Sequence, residues 1–431
     1  MEKQLIRGAR VIDPSQQIDG IRDVLIENGC IGAIAESLSE DCPVFDGKGF
    51  ILSPGLVDIH VHLRDPGFPE KEDILTGCAA AAAGGFTSIA CMANTKPVCD
   101  TPEVLSYILE KAKKASCRVY PMASVSKGMQ GELLNDFRAL KKAGAAALSD
   151  DGKPVPNSLL YQALTAAKQE NLMLSYHAED LSLTGRGIIH KGKVSEQLGV
   201  PGVDRASEDV STAQVLALAM DANAPVHLCH VSTKGALSLI REAKARNIPV
   251  TCETAPHYFS LNHEALLERN ANFRMAPPLR EESDCRAVLE AIADGTIDCI
   301  ATDHAPHTEA EKAVFETAPN GIVGLETSLA LCLTYLVRPG IISIARLIKM
   351  MSTTPARLLG ISGGTLAQGS PADFILFDPG QHWIIDKRKF HSKGRNTPFD
   401  QMEVVGRVKY TFLDGKIVYQ DKEGEHCGKT N

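Results

Sequence analysis

Four residues able to do chemistry alternate with three that can only pack. Asp58, His60, His62 and Arg64 are separated by Ile59, Val61 and Leu63, in a stretch entered after Pro54-Gly55 and left at Asp65-Pro66-Gly67. Apolar alternation between such breakers predicts a short buried strand. Residues two apart on a strand share a face, so the polar side chains should point together, with the imidazoles about 6–7 Å apart by backbone rise. Both can then reach one metal ion. A pair of hydrogen-bonded core histidines is the plainer alternative, but an Asp and an Arg in the same alternation favour a metal site.

Residues of the same chemical types recur after other apolar runs. They are Met92-Ala93-Asn94-Thr95, Ser149-Asp150-Asp151-Gly152, His177-Ala178-Glu179-Asp180, His230-Val231-Ser232-Thr233, Ala255-Pro256-His257 and Thr302-Asp303-His304-Ala305-Pro306-His307. Singly, each reads as a helix cap or a histidine satisfying a loop carbonyl. Collected at one end of a fold, imidazoles and carboxylates suit Zn²⁺-type cations. Such cations bring the pKa of water towards ~7 and so supply a nucleophile at neutral pH. The chain has no Gly-x-Ser-x-Gly elbow that would suggest a serine nucleophile instead.

The elements needed to collect these residues are legible between residues 53 and 364. The first strand is followed by helix Lys71–Ala83, strand Thr87–Met92, helix Pro102–Ala115, strand Arg118–Ala123, helix Glu132–Ala143 and strand Ala145–Ser149. Helix Ser158–Gln169, strand Leu172–Tyr176, helix Asp209–Ala222, strand Val226–Val231, helix Gly235–Arg246 and strand Val250–Thr254 continue the beat. Helix Glu282–Ala293, strand Asp298–Thr302 and helices Gly324–Leu336 and Ile342–Leu359 complete it. Eight βα units predict an α/β fold of the (β/α)8 TIM-type barrel class, whose strand C-termini face the active site. A doubly wound open sheet is the alternative, and it would not explain the polar residues at the strand ends. Residues 1–52 and 365–431 carry only short strands, with Asp414-Gly415 as a hairpin turn. Neither end closes a core alone, so they are expected to pair into one small β-sandwich domain into which the barrel, 53–364, is inserted.

Composition removes several classes of function. With 431 residues, 44% hydrophobic and 23% charged, the chain can bury a large core. A net charge of −8 without a basic run argues against nucleic-acid binding. Twelve scattered cysteines without CxxC pairs read as thiols in a reducing compartment, and no apolar run spans a membrane. A cytoplasmic protein is expected. His190, His263, His382, His391 and His426 fall away from the strand ends and read as surface or packing residues, as does His227, in opposite phase to His230.

Together these motifs resemble the amidohydrolase superfamily and, within it, the class I dihydroorotases. The resemblance rests on Asp58 to Gly67, Ser149-Asp150-Asp151-Gly152, His227 to Thr233, and Ala301 to His307, and runs over nearly the whole chain. It implies zinc-dependent, reversible cyclisation of N-carbamoyl-L-aspartate to L-dihydroorotate in pyrimidine synthesis. By the same resemblance His60, His62 and Asp303 hold one ion, His177 and His230 a second, and Asp151 bridges the two. One or two zinc ions per chain are implied, with two expected. Many relatives bridge with a carboxylated lysine; strand 4 here ends without one, and Lys153 after the turn glycine is a poor candidate. Asp303 is implied as the group that moves the proton. Arg64, Asn94 and His307 are implied to bind the substrate carboxylate, and backbone groups near Asn320 and Gly321 the ring. An Arg fork suits two-point carboxylate binding, and Asn adds a neutral donor. The loop from His307 to Gly321 could close over substrate. The expected partners are the small-molecule substrate, a second copy in a homodimer and, in some settings, aspartate transcarbamoylase.

Two positions depart from the family pattern: Ala276 stands where relatives carry an Asn that touches the ring, and Ala93 where they carry Pro. Two alternatives therefore stay open. One is a hydantoinase or allantoinase, disfavoured by the missing strand-4 lysine. The other is a non-catalytic dihydroorotase-like subunit, disfavoured because all six ligand positions are kept.

Overall fold

The computed structural model describes residues 3–422, so His426 lies outside the described residues. Eight strands pair in chain order: Leu56–Val61, Phe86–Cys91, Arg118–Ala123, Ala147–Leu148, Met173–Tyr176, Val226–Leu228, Val250–Thr254 and Cys299–Ile300. Every pairing between neighbours is parallel. The ring closes where Val61 bridges His304 and the His62 N–H donates to the His304 carbonyl at 2.8 Å. This is the expected (β/α)8 barrel. Its first strand is buried along its whole length, as parallel strands covered on both faces must be. Val57, Ile59, Ala90, Met122, Ala147, Cys229 and Cys299 form one cluster with Ala356 and Leu359 of the last helix. Residues from strands across the barrel can meet only inside it, so this cluster is the packed interior beneath the site.

Several helices begin later than their sequence pattern suggests, because a side-chain cap decides the start. The first is Ile74–Ala83, not Lys71–Ala83: Asp73 accepts from the Leu75 and Thr76 N–H groups in a capping box with Thr76. The third is Phe137–Lys142, since Asp136 caps it through the Ala139 N–H and Asn135 is tied back to the Ser124 carbonyl. A run of alanines, Ala79 to Ala83, lies on the first helix, where Ala80, Ala81 and Ala82 are buried.

Both chain ends share one mixed sheet, joined through Ile51–Pro54. That strand pairs parallel with Lys3–Asp13 and antiparallel with Phe374–Ile384. Ile18–Glu27 and Cys30–Ala35 extend the sheet on one side, Glu403–Leu413 and Lys416–Gln420 on the other, and Val44–Asp46 lies beside Lys3–Asp13. Asp414 and Gly415 both have positive φ, 48° and 72°, as the tight hairpin turn requires. Arg118, at the start of the third barrel strand, reaches Asp373 at 2.8 Å and Asp414 at 2.6 Å, tying this sheet to the barrel. Gly406 lies close against the barrel: its φ is +96°, and a Cβ there would stand 2.2 Å from Leu333 Cδ1. Gly406→Ala is expected to cost about 1–3 kcal/mol through strain and overpacking, read as a lower urea midpoint with activity intact at low temperature.

All eleven cysteines among the described residues are free thiols, so no disulfide constrains the fold there. No helix among the described residues is long and apolar enough to cross a membrane.

Candidate active site

Side chains from five strand ends converge at the barrel mouth. His60, His62 and Asp303 offer ligand atoms all within 4.8 Å of one another, and so do Asp151, His177 and His230. The two trios are joined by Asp151. Its Oδ1 lies 3.3 Å from His177 Nδ1, 3.5 Å from His230 Nε2 and 3.6 Å from His60 Nε2, while its Oδ2 lies 3.4 Å from His62 Nε2. Asp303 Oδ1 lies 3.2 Å from His62 Nε2 and 3.5 Å from His60 Nε2. Ligands at zinc-type bond lengths around a tetrahedral centre stand about 3.3 Å apart, which is the spacing seen.

Electrostatics and hydrogen bonding both fit a divalent metal. Burial opposes charge on Asp151, Asp303, His60 and His177, yet pairing within the cluster overrides it. His60 first, then His177 and His230, hold the Asp151 carboxyl well below the usual carboxylate range. Against the same burial, His60 and His62 bring Asp303 down to about 2. Asp151 and Glu179 raise His177 to about 10, and Asp151 leads the groups that raise His60 well above its ordinary value. A buried pocket that draws charge onto imidazoles carries an excess of negative charge, which a dication relieves. His60 Nε2 and Asp151 Oδ1 are buried without a hydrogen-bond partner, lone pairs that a cation would satisfy. This chain therefore carries a metal-cofactor site.

The surroundings fix these side chains in place. Asp150 accepts from the Val125 N–H at 2.7 Å and from the Ser126 N–H and hydroxyl, so it braces strand 4 to strand 3, while Asp151 faces the histidines. Lys153 is exposed beyond that turn. Asp58 does not join the cluster: fully buried, it accepts from the backbone N–H groups of His60 and Thr302, and burial pushes its carboxyl up to about 7. Glu208 accepts from the Ser232 and Thr233 N–H groups and pairs with Arg280 at 3.1 Å, clamping the chain after His230. His230 and Asp303 both adopt positive φ, 32° and 49°, a conformation non-glycine residues hold only where their surroundings enforce it.

The residues expected to face substrate also come together, by a different route from the one strand alternation suggests. The first strand ends at Val61, and Arg64 reaches the site from a turn with φ of 60°. Its Nε donates to the Pro306 carbonyl at 3.2 Å, and its Nη2 lies 3.3 Å from His307 Nε2. His307 Nε2 also lies 2.9 Å from the Asn320 carbonyl. Burial, then Arg64, lowers the His307 pKa to about 3, so it is a neutral imidazole. Asn94 Oδ1 lies 2.9 Å from His62 Nδ1, so Asn94 orients a candidate metal ligand with its oxygen and keeps its NH₂ for other partners. Gly321 is buried beside His307, and Asn320 is exposed. Around the loop from His307 to Gly321, Phe315, Ala318 and Ile322 share one hydrophobic cluster with Ile189 and Val194, which follow strand 5.

One residue of consequence was missed in the sequence. Glu253, 1% exposed on strand 7, lies 2.7 Å from His60 Nδ1 through Oε1 and 3.2 Å from His227 Nε2 through Oε2. Accepting from Nδ1–H, it turns His60 Nε2 towards the cluster. A lone charge inside the short strand Val250–Thr254 was the available signal. A separate group, His190, Glu281 and Asp284, is occupied by Arg205, which pairs with both carboxylates at 2.9 and 2.7 Å.

Comparison with known proteins agrees with this architecture. The Amidohydrolase family model matches residues 51–418. A dihydroorotase of Geobacter metallireducens is 51% identical over 421 residues, covering 96% of this chain and 99% of that protein. A dihydroorotase of Syntrophus aciditrophicus is 49% identical, covering 97% and 100%. Among solved structures, a dihydropyrimidinase from Brevibacillus agri superposes with a TM-score of 0.86 at 28% identity, covering 97% of this chain and 95% of its own. An L-hydantoinase from Arthrobacter aurescens gives 0.87 at 25% identity, covering 97% and 96%.

Proposed function

We propose that this chain, which belongs to the amidohydrolase family, is a dihydroorotase that closes N-carbamoyl-L-aspartate to L-dihydroorotate, reversibly, in pyrimidine synthesis. The observation that carries the reading is the 51% identity to a dihydroorotase over nearly the full length of both chains. The dihydropyrimidinase and hydantoinase neighbours share the fold at 28% and 25% identity. Their names point to cyclic amides as common chemistry and keep a hydantoinase as the runner-up. A metal-replete assay with dihydroorotate, a 5-substituted hydantoin and allantoin separates these readings. Turnover of none would favour the non-catalytic subunit.

We assign two zinc ions, one to His60, His62 and Asp303 and one to His177 and His230, with Asp151 shared. When bound, the ions supply a water made acidic enough to attack at neutral pH and a Lewis acid for the amide carbonyl. Asp303 takes the proton in hydrolysis and returns it to the leaving ring nitrogen; in cyclisation it protonates the departing hydroxyl. Arg64 and Asn94 bind and orient the carboxylate, and neutral His307 donates or accepts without adding charge. Backbone groups of Asn320 and Gly321 contact the ring. Glu253 and Asn94 keep His60 and His62 in the tautomers that present Nε2.

The same reading divides the chain into a composite β-domain, 1–52 plus 365–431, and a barrel, 53–364. It expects a cytoplasmic homodimer, with association with aspartate transcarbamoylase to be tested by co-purification. His60→Ala or His62→Ala should remove about one metal equivalent per chain. Elemental analysis checks this, and variants as metal-rich as wild type would refute the ligand assignment.

A further inference from the structure

Lys312 lies in the loop between the eighth strand and its helix, and it is only 8% exposed. A lysine is rarely buried unless its ammonium is matched by acceptors. Here the Nζ donates to the Pro319 carbonyl at 2.9 Å, the Gly321 carbonyl at 3.0 Å and the Arg274 carbonyl at 3.2 Å. Three donors meet three acceptors, and none is a carboxylate. Glu311, next in the chain, is engaged by Lys71 at 2.6 Å and by the Thr308 N–H, so it does not compete for the ammonium. Burial first, then Arg274, lowers the Lys312 pKa to about 7, and the charge of Glu311 opposes them.

The segment so held is the one beside the proposed carboxylate pocket. The Asn320 carbonyl, between the two that Lys312 holds, faces His307 Nε2 at 2.9 Å, and Arg64 Nη2 lies 3.3 Å from the same nitrogen. The Gly321 N–H donates to the Arg274 carbonyl at 3.0 Å, and Asn396 Nδ2 donates to the Gly321 carbonyl at 3.0 Å. The peptide unit is planar and trans, so the Asn320 N–H points away from the Pro319 carbonyl and therefore away from Lys312. A charge-assisted hydrogen bond to that carbonyl also polarises the peptide and strengthens its N–H as a donor.

We propose that Lys312 is a positioning residue for substrate binding, whose ammonium fixes the Pro319–Gly321 backbone against His307 and Arg64. The identity of the substrate rests on the dihydroorotase reading; the role of the pin does not. It acts on binding and leaves the metal cluster untouched, since Lys312 contacts none of the proposed ligands.

The test is a split between binding and turnover in the metal-loaded enzyme. Lys312→Met keeps an unbranched stem in place of the lysine's aliphatic part and removes the charge and all three donors. It should raise KM for L-dihydroorotate, and Kd for orotate measured by calorimetry, by about tenfold to a hundredfold. The same variant should keep kcat within about threefold and metal content unchanged. Lys312→Gln, which can still donate to one or two of the carbonyls, should fall between wild type and Met. It also carries the test if the Met variant does not fold. A folded variant with wild-type KM and Kd, or one that loses kcat with KM unchanged, overturns the proposal. If wild type hydrolyses a different cyclic amide and not dihydroorotate, the functional reading falls, and the split is read on that amide instead.

Discussion

Replacing Asp303 by Asn should lower turnover by about 10²–10⁴ while leaving the fold intact, the range expected when a positioned general acid–base is lost. The amide keeps an oxygen where Oδ1 now sits 3.2 Å from His62 Nε2, so the size of the site is preserved. It cannot accept and return a proton. The Asp303 carboxyl, brought to about 2 by His60 and His62 against the effect of burial, is ionised throughout the neutral range and so enters hydrolysis as the base. Metal content must be measured alongside the rate, because Asp303 is also a proposed ligand. A variant with full metal and a rate within about tenfold of wild type would mean that another group moves the proton. Loss of metal together with rate would instead confine Asp303 to holding the ion.

The second large effect is on the choice of substrate. Dihydroorotate carries a ring carboxylate and dihydrouracil does not. Arg64 adjoins His307 Nε2, 3.3 Å away through Nη2. Charge-assisted hydrogen bonds contribute ~1.5–3 kcal/mol each, so losing a two-point contact costs about 10²–10⁴ in kcat/KM. Arg64→Ala should show that loss for dihydroorotate, little change for dihydrouracil and unaltered metal content, since Arg64 is not a proposed ligand. Wild-type preference for dihydrouracil, or normal dihydroorotate hydrolysis by the variant, would move the protein to the hydantoinase reading. His307 should not substitute for the lost charge, because burial, the first cause of its lowered pKa, remains when Arg64 is removed.

How much of this was legible in the chain depends on the range of the interaction concerned. Periodicity is local, so eight apolar strand runs and their helices could be read off directly, and so could the Asp414-Gly415 turn. His60 and His62 were legible as a pair because they sit two residues apart at one strand end; their rings lie 5.4 Å apart in the fold. The resemblance to a family added the remaining ligand positions. Local reasoning failed where a backbone turn or a distant partner takes over. Strand phase put Asp58 and Arg64 beside the histidines. Instead Asp58 is consumed by two backbone N–H groups, and Arg64 arrives by way of a left-handed residue after the strand has ended. The choice between Asp150 and Asp151 cannot be made from adjacency; it follows from which carboxylate the Val125 and Ser126 N–H groups capture.

Only the closed barrel decided the rest. Glu253 meets His60 across 193 positions of sequence, and Asp303 meets His62 across 241, because the closed ring brings the ends of the seventh and eighth strands to the first. Lys312 reads in sequence as an ordinary surface lysine between Glu311 and Ala313. Its burial depends on a loop folded back so that three carbonyls face one ammonium. Sequence by itself determined which elements form and which residue types each strand end presents, since propensity and periodicity act over a few residues. Which of those residues share a site at hydrogen-bond distance was decided by tertiary structure, since such contacts join residues 13 positions apart as well as residues 241 apart, and form only as the strands assemble into the ring.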